Sequence, residues 1–208
     1  MKIICLHAHE SNRFYMEKIF QHTTISLVHL VYSMSIEKHS AKKADLEAMV
    51  SGEITSDVSG IIITCTVYSG VISSNEINGI PVLKMEDPLI ETIVADTHEK
   101  ILFFSNPQTV ALTMEKVEAA YKRNNRSKDY QVVVIPDVFS LILSNQKMVY
   151  RQALIGYLNE CIGKNHGNLY LMQLSMSVIE TDDFDAGNQE IKTVFSEAKY
   201  RYQKIFKE

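Results

Sequence analysis

Short apolar runs alternate along the chain with stretches whose apolar positions recur at helical spacing. Residues 2–7, 25–32, 61–64, 80–85, 100–104, 131–135 and 169–172 read as strands. Several are nearly continuous in β-branched residues, as Ile61-Ile62-Ile63 is, which suits parallel strands covered on both faces. Between them, Ser11 is placed to cap a helix over 12–22 with Phe14, Ile19 and Phe20 inward, and Ser40 opens a second helix that Gly52 closes. Residues 68–78 read as a helix weakened by Gly70 and ended by Gly79. Asp87 caps another, with Pro88 in its first turn. Longer helices follow Ser105-Asn106-Pro107-Gln108-Thr109, span 139–163 with a break near Ser144-Asn145, and close the chain over 188–206.

Strand–helix alternation throughout predicts an α/β protein with parallel sheets. The order of elements repeats. A first domain over 1–97 is followed by a second over 98–187, with the helix at 188–206 packing back on the first. A single continuous flavodoxin-like sheet is the alternative.

In open α/β sheets ligands bind beyond the carboxyl ends of the strands. Cys65 stands there, between an apolar strand and a predicted helix start, where backbone N–H groups favour a thiolate. Cys5 and Cys161 fall inside a strand and a helix and read as packing residues. Ser105 and Thr109 flank a helix start, where Ser105 is either a simple cap or a ligand contact. Gln173 and Ser175 follow the seventh strand and are either an ordinary strand-to-loop transition or part of a site. His7 and His9 are two apart at the end of the first strand, but no other cluster has matching spacing, so no metal site is expected. The acidic run Glu180-Thr181-Asp182-Asp183 reads as a solvated loop.

Composition narrows the function classes. A hydrophobic content of 46% over 208 residues supplies a full core. A net charge of -4 argues against nucleic-acid binding, since the one basic patch, at 122–128, reads as a solvated turn. Three cysteines without paired spacing fit a reducing, cytoplasmic setting. No apolar stretch approaches the ~18 residues of a membrane span.

Gly60-Ile61-Ile62-Ile63-Thr64-Cys65-Thr66-Val67-Tyr68-Ser69, then Ile80-Pro81-Val82-Leu83-Lys84, then Ile101-Leu102-Phe103-Phe104-Ser105-Asn106-Pro107-Gln108-Thr109 resemble successive segments of the aspartate/glutamate/hydantoin racemase superfamily. The resemblance implies two α/β domains related by a pseudo-twofold axis with a cleft between them, a small carboxylate or amino-acid-like ligand, a homodimer, and no metal or pyridoxal cofactor. It places Cys65 as the first catalytic cysteine, with Thr66, Ser105, Thr109, Gln173, Ser175, Ser11 and His7 toward the substrate. Such racemases use a second cysteine in the second domain, because inversion at carbon needs an acid and a base on opposite faces. At that position this chain carries Gln173, and neither its amide nor the Ser175 hydroxyl is an acid near neutral pH. Two outcomes follow: proton transfer by Cys65 alone, as in a racemase-like, isomerase-like or one-base lyase reaction, or a non-catalytic binding protein on the same scaffold.

Overall fold

The structure, a computed structural model, describes residues 1–33, 43–162, 167–179, 183–184 and 189–206. The predicted helix start at Ser40 and residues 180–182 of the acidic run lie outside them. The chain divides into two compact units, Met1–Asp87 with Ala198–Glu208, and Pro88–Glu197. The boundary thus falls at 87/88, where the sequence pattern sets it at 97/98. Each unit has its own sheet, which excludes the single continuous sheet.

The first unit carries β1 (Lys2–His7), β2 (Ser26–Val31), β3 (Val58–Ile63), β4 (Glu76–Ile77) and β5 (Ile80–Lys84) in the order β2-β1-β3-β5-β4. All neighbours are parallel except the β4–β5 pair. Ile4, Leu6, Ile61 and Ile63 leave one face of this sheet and pack with Leu46 and Val50 of α2 (Lys43–Gly52) and Tyr68 of α3 (Thr66–Val71). Residues one step out of phase, Ile3, Cys5 and His7, point to the other face and are fully buried. The carboxyl-terminal helix reaches this unit: Tyr202 donates to Lys84 O at 2.8 Å and Gln203 to Ile19 O at 3.0 Å. The Phe206 ring lies where a Cβ on Gly60 would sit, 3.0 Å from it, so a glycine in β3 makes room for an aromatic ring.

Three local expectations change here. The helix after Cys65 stops at Val71, and Asn78-Gly79 is the two-residue turn of the β4–β5 hairpin. Both residues have positive φ, 50° and 78°, as a type I′ turn requires, and Asn-Gly is the pair that meets that demand at least cost. In α1 (Arg13–Phe20) the inward residues are Tyr15, Met16, Ile19 and Phe20, while Phe14 is exposed. Asn12, not Ser11, occupies the N-cap position of α1, and its side chain is turned elsewhere.

The second unit carries α4 (Asp87–Ala95), β6 (Lys100–Phe104), α5 (Val110–Arg123), β7 (Tyr130–Val134), α6 (Phe139–Leu143), α7 (Lys147–Cys161), β8 (Asn168–Leu171), β9 (Ile191–Thr193) and the first turn of α8 (Val194–Ile205). Its sheet runs β7-β6-β8-β9, all parallel. Ile101, Phe103, Leu169 and Leu171 pack with Tyr150, Leu154 and Leu158 of α7. The expected break lies between α6 and α7, where Asn145 has φ 59°. β9 falls where the sequence pattern predicts the last helix from 188, so that helix begins at Val194. At the amino end of β8, Gly167 has no room for a side chain, because a Cβ would lie 2.6 Å from Glu99 O.

Candidate functional site

β3 ends at Ile63, and Thr64, Cys65 and Thr66 carry the chain from the sheet into α3. Cys65 is the N-cap residue of α3, with extended backbone (φ -110°, ψ 122°) and no side-chain bond to the helix. Its thiol is half-buried, whereas Cys5 is fully buried and burial pushes its thiol pKa far up. Tyr68, one turn on, is buried with its hydroxyl donating to Tyr32 O. Burial raises the Tyr68 pKa, and Cys65 and Tyr32 act in the same direction. Ser69 donates to the carboxylate of Glu86, which is 2% exposed.

Thr64 ties this edge to the loop after β1. Its hydroxyl lies 2.9 Å from His7 Nδ1, 3.1 Å from Asn12 Nδ2 and 3.3 Å from Leu6 O. His7 is therefore a buried ring facing Thr64 and His29, with its Nε2 2.9 Å from His29 Nδ1. Burial, helped by His29 and Arg13, lowers its pKa to about 3, so the ring is neutral near pH 7. Ser11 sits in the 3-10 turn Glu10–Asn12, and its hydroxyl lies 2.8 Å from His9 Nδ1. Asn12 and His29, which the sequence pattern does not single out, are the residues that bond Thr64 and His7 here, while Ser11 bonds His9.

The carboxyl edge of the second sheet is built differently. Ser105 follows β6 and is 1% exposed. It is not the cap: Asn106 caps the 3-10 turn Pro107–Thr109, its side chain accepting from Gln108 N at 3.0 Å. Gln173, just past β8, reaches into this loop. Its Oε1 accepts from Ser105 N at 2.6 Å, Ser105 Oγ at 2.7 Å and Asn106 N at 2.9 Å. Its Nε2 donates to Thr109 Oγ1 at 2.7 Å and Asn106 O at 3.2 Å. Tyr150 donates to Ser105 Oγ at 2.8 Å and also bonds Ser175. Burial raises the Tyr150 pKa, and these two serines offset part of the rise. Ser105, Thr109, Gln173 and Ser175 are thus brought into one network. Both amide protons of Gln173 are used, and its oxygen accepts three donors.

Chemically, the first edge presents a thiol, while the Ser105, Thr109, Gln173 and Ser175 network of the second consists of amide and hydroxyl groups. Among the described residues no helix is long and apolar enough to cross a membrane.

No protein-family model matches the chain, and no curated protein matches it in sequence. Solved structures do match over nearly its whole length. The aspartate racemase of Picrophilus torridus matches with TM-score 0.69 and 12% identity, over 98% of this chain and 93% of that one. The allantoin racemase of Pseudomonas fluorescens matches with TM-score 0.63 and 13% identity, over 99% and 90%. The glutamate racemase of Francisella tularensis, solved in complex with D-glutamate, matches with TM-score 0.68 and 13% identity, over 98% and 80%. Over nearly its whole length, this chain shares the fold of these aspartate, allantoin and glutamate racemases.

Proposed function

We propose that this protein binds a small carboxylate or amino-acid-like compound at the carboxyl edge of its first sheet, and that Cys65 exchanges a proton with the ligand's α-carbon. The observation that carries the proposal is the half-buried Cys65 thiol at the turn from β3 into α3, in a fold shared with amino-acid and allantoin racemases. As thiolate, Cys65 takes the proton from the α-carbon and leaves the electron pair delocalised into the carboxylate. The resulting thiol returns a proton to the same carbon. Thr66 and Ser11 offer hydroxyl groups for the ligand's oxygens. Ser105, Thr109, Gln173 and Ser175 hold one another, so a role for them in ligand binding requires that network to open.

A second reading, a binding protein without turnover, is supported by the same residue: where the family resemblance expects a second cysteine, this chain carries Gln173, an amide that gives up no proton and is held by Ser105 and Thr109.

The test is α-proton exchange in deuterated buffer across small amino acids, hydroxy acids, hydantoins and malonates, followed by NMR and chiral separation. Exchange with retention, reduced about 10²–10⁴-fold in Cys65→Ser, is the expected result. Exchange with inversion would require a second acid and overturn the one-base scheme. Ligand binding without exchange, unchanged in Cys65→Ser, would establish the binding protein.

A further inference from the structure

The first sheet brings together three metal-ligating side chains that proton transfer at Cys65 does not use. Cys5 and His7 are two residues apart on β1, so they leave the same face. His29 on β2 is the register partner of Cys5. The Cys5 sulfur and one ring nitrogen from each histidine all lie within 4.8 Å of one another. Sequence spacing does not show this cluster, because it depends on the pairing of two strands. The sequence pattern pairs His7 with His9, which instead bonds Ser11.

The hydrogen bonds fix which atoms are available. The Thr64 hydroxyl lies within reach of Leu6 O, Asn12 Nδ2 and His7 Nδ1, and with its one proton on Leu6 O its lone pairs are free to receive Asn12 Nδ2–H and His7 Nδ1–H. In that arrangement His7 carries its proton on Nδ1, and its Nε2, which faces His29, is the nitrogen available to a metal. A ring nitrogen oriented by a bond from its other nitrogen is the usual form of a histidine ligand. The two facing nitrogens are 2.9 Å apart, and widening to about 3.3 Å suits two tetrahedral metal–nitrogen bonds of about 2.0–2.1 Å. His29 Nδ1 becomes a ligand by moving its proton to Nε2. His29 is only half-buried, which gives an entry path to a cluster whose other members are fully buried. Arg13 faces the histidines and opposes a cation, but Glu10 holds it at 2.6 Å, and Glu17 and Glu10 act on His29 in the opposite direction.

We infer that Cys5, His7 and His29 form a binding site for a borderline-soft divalent cation of the zinc class, with a fourth position open to water. Two nitrogens and a sulfur are the wrong donors for magnesium or calcium, which take oxygen. Binding replaces the sulfur–hydrogen bond of Cys5 by a sulfur–metal bond and releases that proton to solvent.

The experiment is titration of the full, reduced, metal-free chain with Co²⁺, then displacement by Zn²⁺. The expected result is a thiolate-to-cobalt charge-transfer band that saturates at one ion per chain, with one proton released per ion. Cys5→Ser should lose the band, and His29→Gln should lower affinity at least about tenfold. Thr64→Val, which removes the orienting bond to His7 together with the hydroxyl's bonds to Asn12 and Leu6 O but none of the three ligands, should lower it about 10–100-fold at unchanged stoichiometry. His9→Ala should bind as the parent does. A folded chain, verified by circular dichroism, that shows no saturable band overturns the site. So does a band unchanged in His29→Gln, a half-buried position that decides the matter if Cys5→Ser fails to fold.

Discussion

The carboxyl edges of the two sheets solve one problem in opposite ways. Each leaves a strand and enters a helix through a polar turn, and each must satisfy the backbone N–H groups exposed there. In the second unit Gln173 does this from within, accepting from Ser105 N, Ser105 Oγ and Asn106 N while donating to Thr109. In the first unit the equivalent turn places Cys65, whose side chain makes no bond to the helix it precedes. An amide carries donors and an acceptor, so it can close such a turn permanently. A thiol is a weak partner on both counts and does not cap the helix that follows it. One strand end is closed by its own side chains, and the other is the one to which the proposed proton transfer assigns its thiol.

The largest expected effect tests the closed edge. Gln173→Ala removes an acceptor shared by three donors and leaves the buried N–H and hydroxyl of Ser105, with half-buried groups on Asn106 and Thr109, without their partner. A loss of about 3 kcal/mol, read from the urea midpoint, follows if two or so of these groups stay unsatisfied. A loss below about 1 kcal/mol would mean that water replaces the amide freely and that the edge is not closed.

The next effect separates the carboxyl edge of the second sheet from its amino edge. The Gln173 network has no carboxylate, so it should not respond to mild acid. Asp96, by contrast, accepts from His98 N, His98 Nδ1, Asn168 Nδ2 and Tyr170 OH at 2.8–2.9 Å. Burial raises its pKa, but the bonds from His98, Asn168 and Tyr170 outweigh that and hold it well below the ordinary carboxylate value. A folded pKa below the unfolded one means that the unfolded chain binds the proton first. The stabilisation is therefore complete above about pH 4 and fades as pH falls below that value. Asp96→Asn should flatten the acid limb of the stability profile, while Gln173→Ala should shift the profile without changing its slope. An acid limb unchanged in Asp96→Asn would assign acid sensitivity to other groups.

How much of this was visible in the sequence depends on the range of the interaction. The strands, the break before Lys147 and the position of Cys65 at the end of β3 are set by neighbours within a few residues, and apolar periodicity reveals them. Asn78-Gly79 was also visible, but a helical pattern from Tyr68 onward masked the hairpin turn that Asn-Gly specifies. β9 is three residues long and exists because β8 pairs with it. The hidden parts of the site are long-range bonds: Gln173 to Ser105 across 68 residues, Asn12 to Thr64 across 52, His7 to His29 across 22. Residue type showed that each was polar. Only the register of the sheets shows which partner each polar group meets.

Thr64→Val probes the open edge from its buried side. The substitution keeps the shape and removes the hydroxyl that His7 Nδ1 and Asn12 Nδ2 share, so a cost of about 1–2 kcal/mol in chemical denaturation is expected. It is smaller than that of Gln173→Ala because one buried group, His7 Nδ1, loses its partner rather than the two on Ser105, while half-buried Asn12 regains water. An equal cost would make the two edges alike in how tightly they are held.

Cys65→Ser should have the smallest effect on stability, within about 0.5 kcal/mol, although it is the substitution expected to cost the most activity. Serine is among the preferred helix N-caps, and Cys65 already has the extended backbone that a capping serine adopts. Gain of a cap can therefore offset the loss of a half-buried sulfur. Destabilisation above about 2 kcal/mol would instead show Cys65 to be a packing residue like Cys5, and the contrast between the two edges would collapse. A small effect would separate stability from the proposed use at this position: the fold would tolerate the loss of the thiol, so a loss of proton exchange in Cys65→Ser could be read as loss of the thiol's chemistry rather than of the packing of β3 and α3.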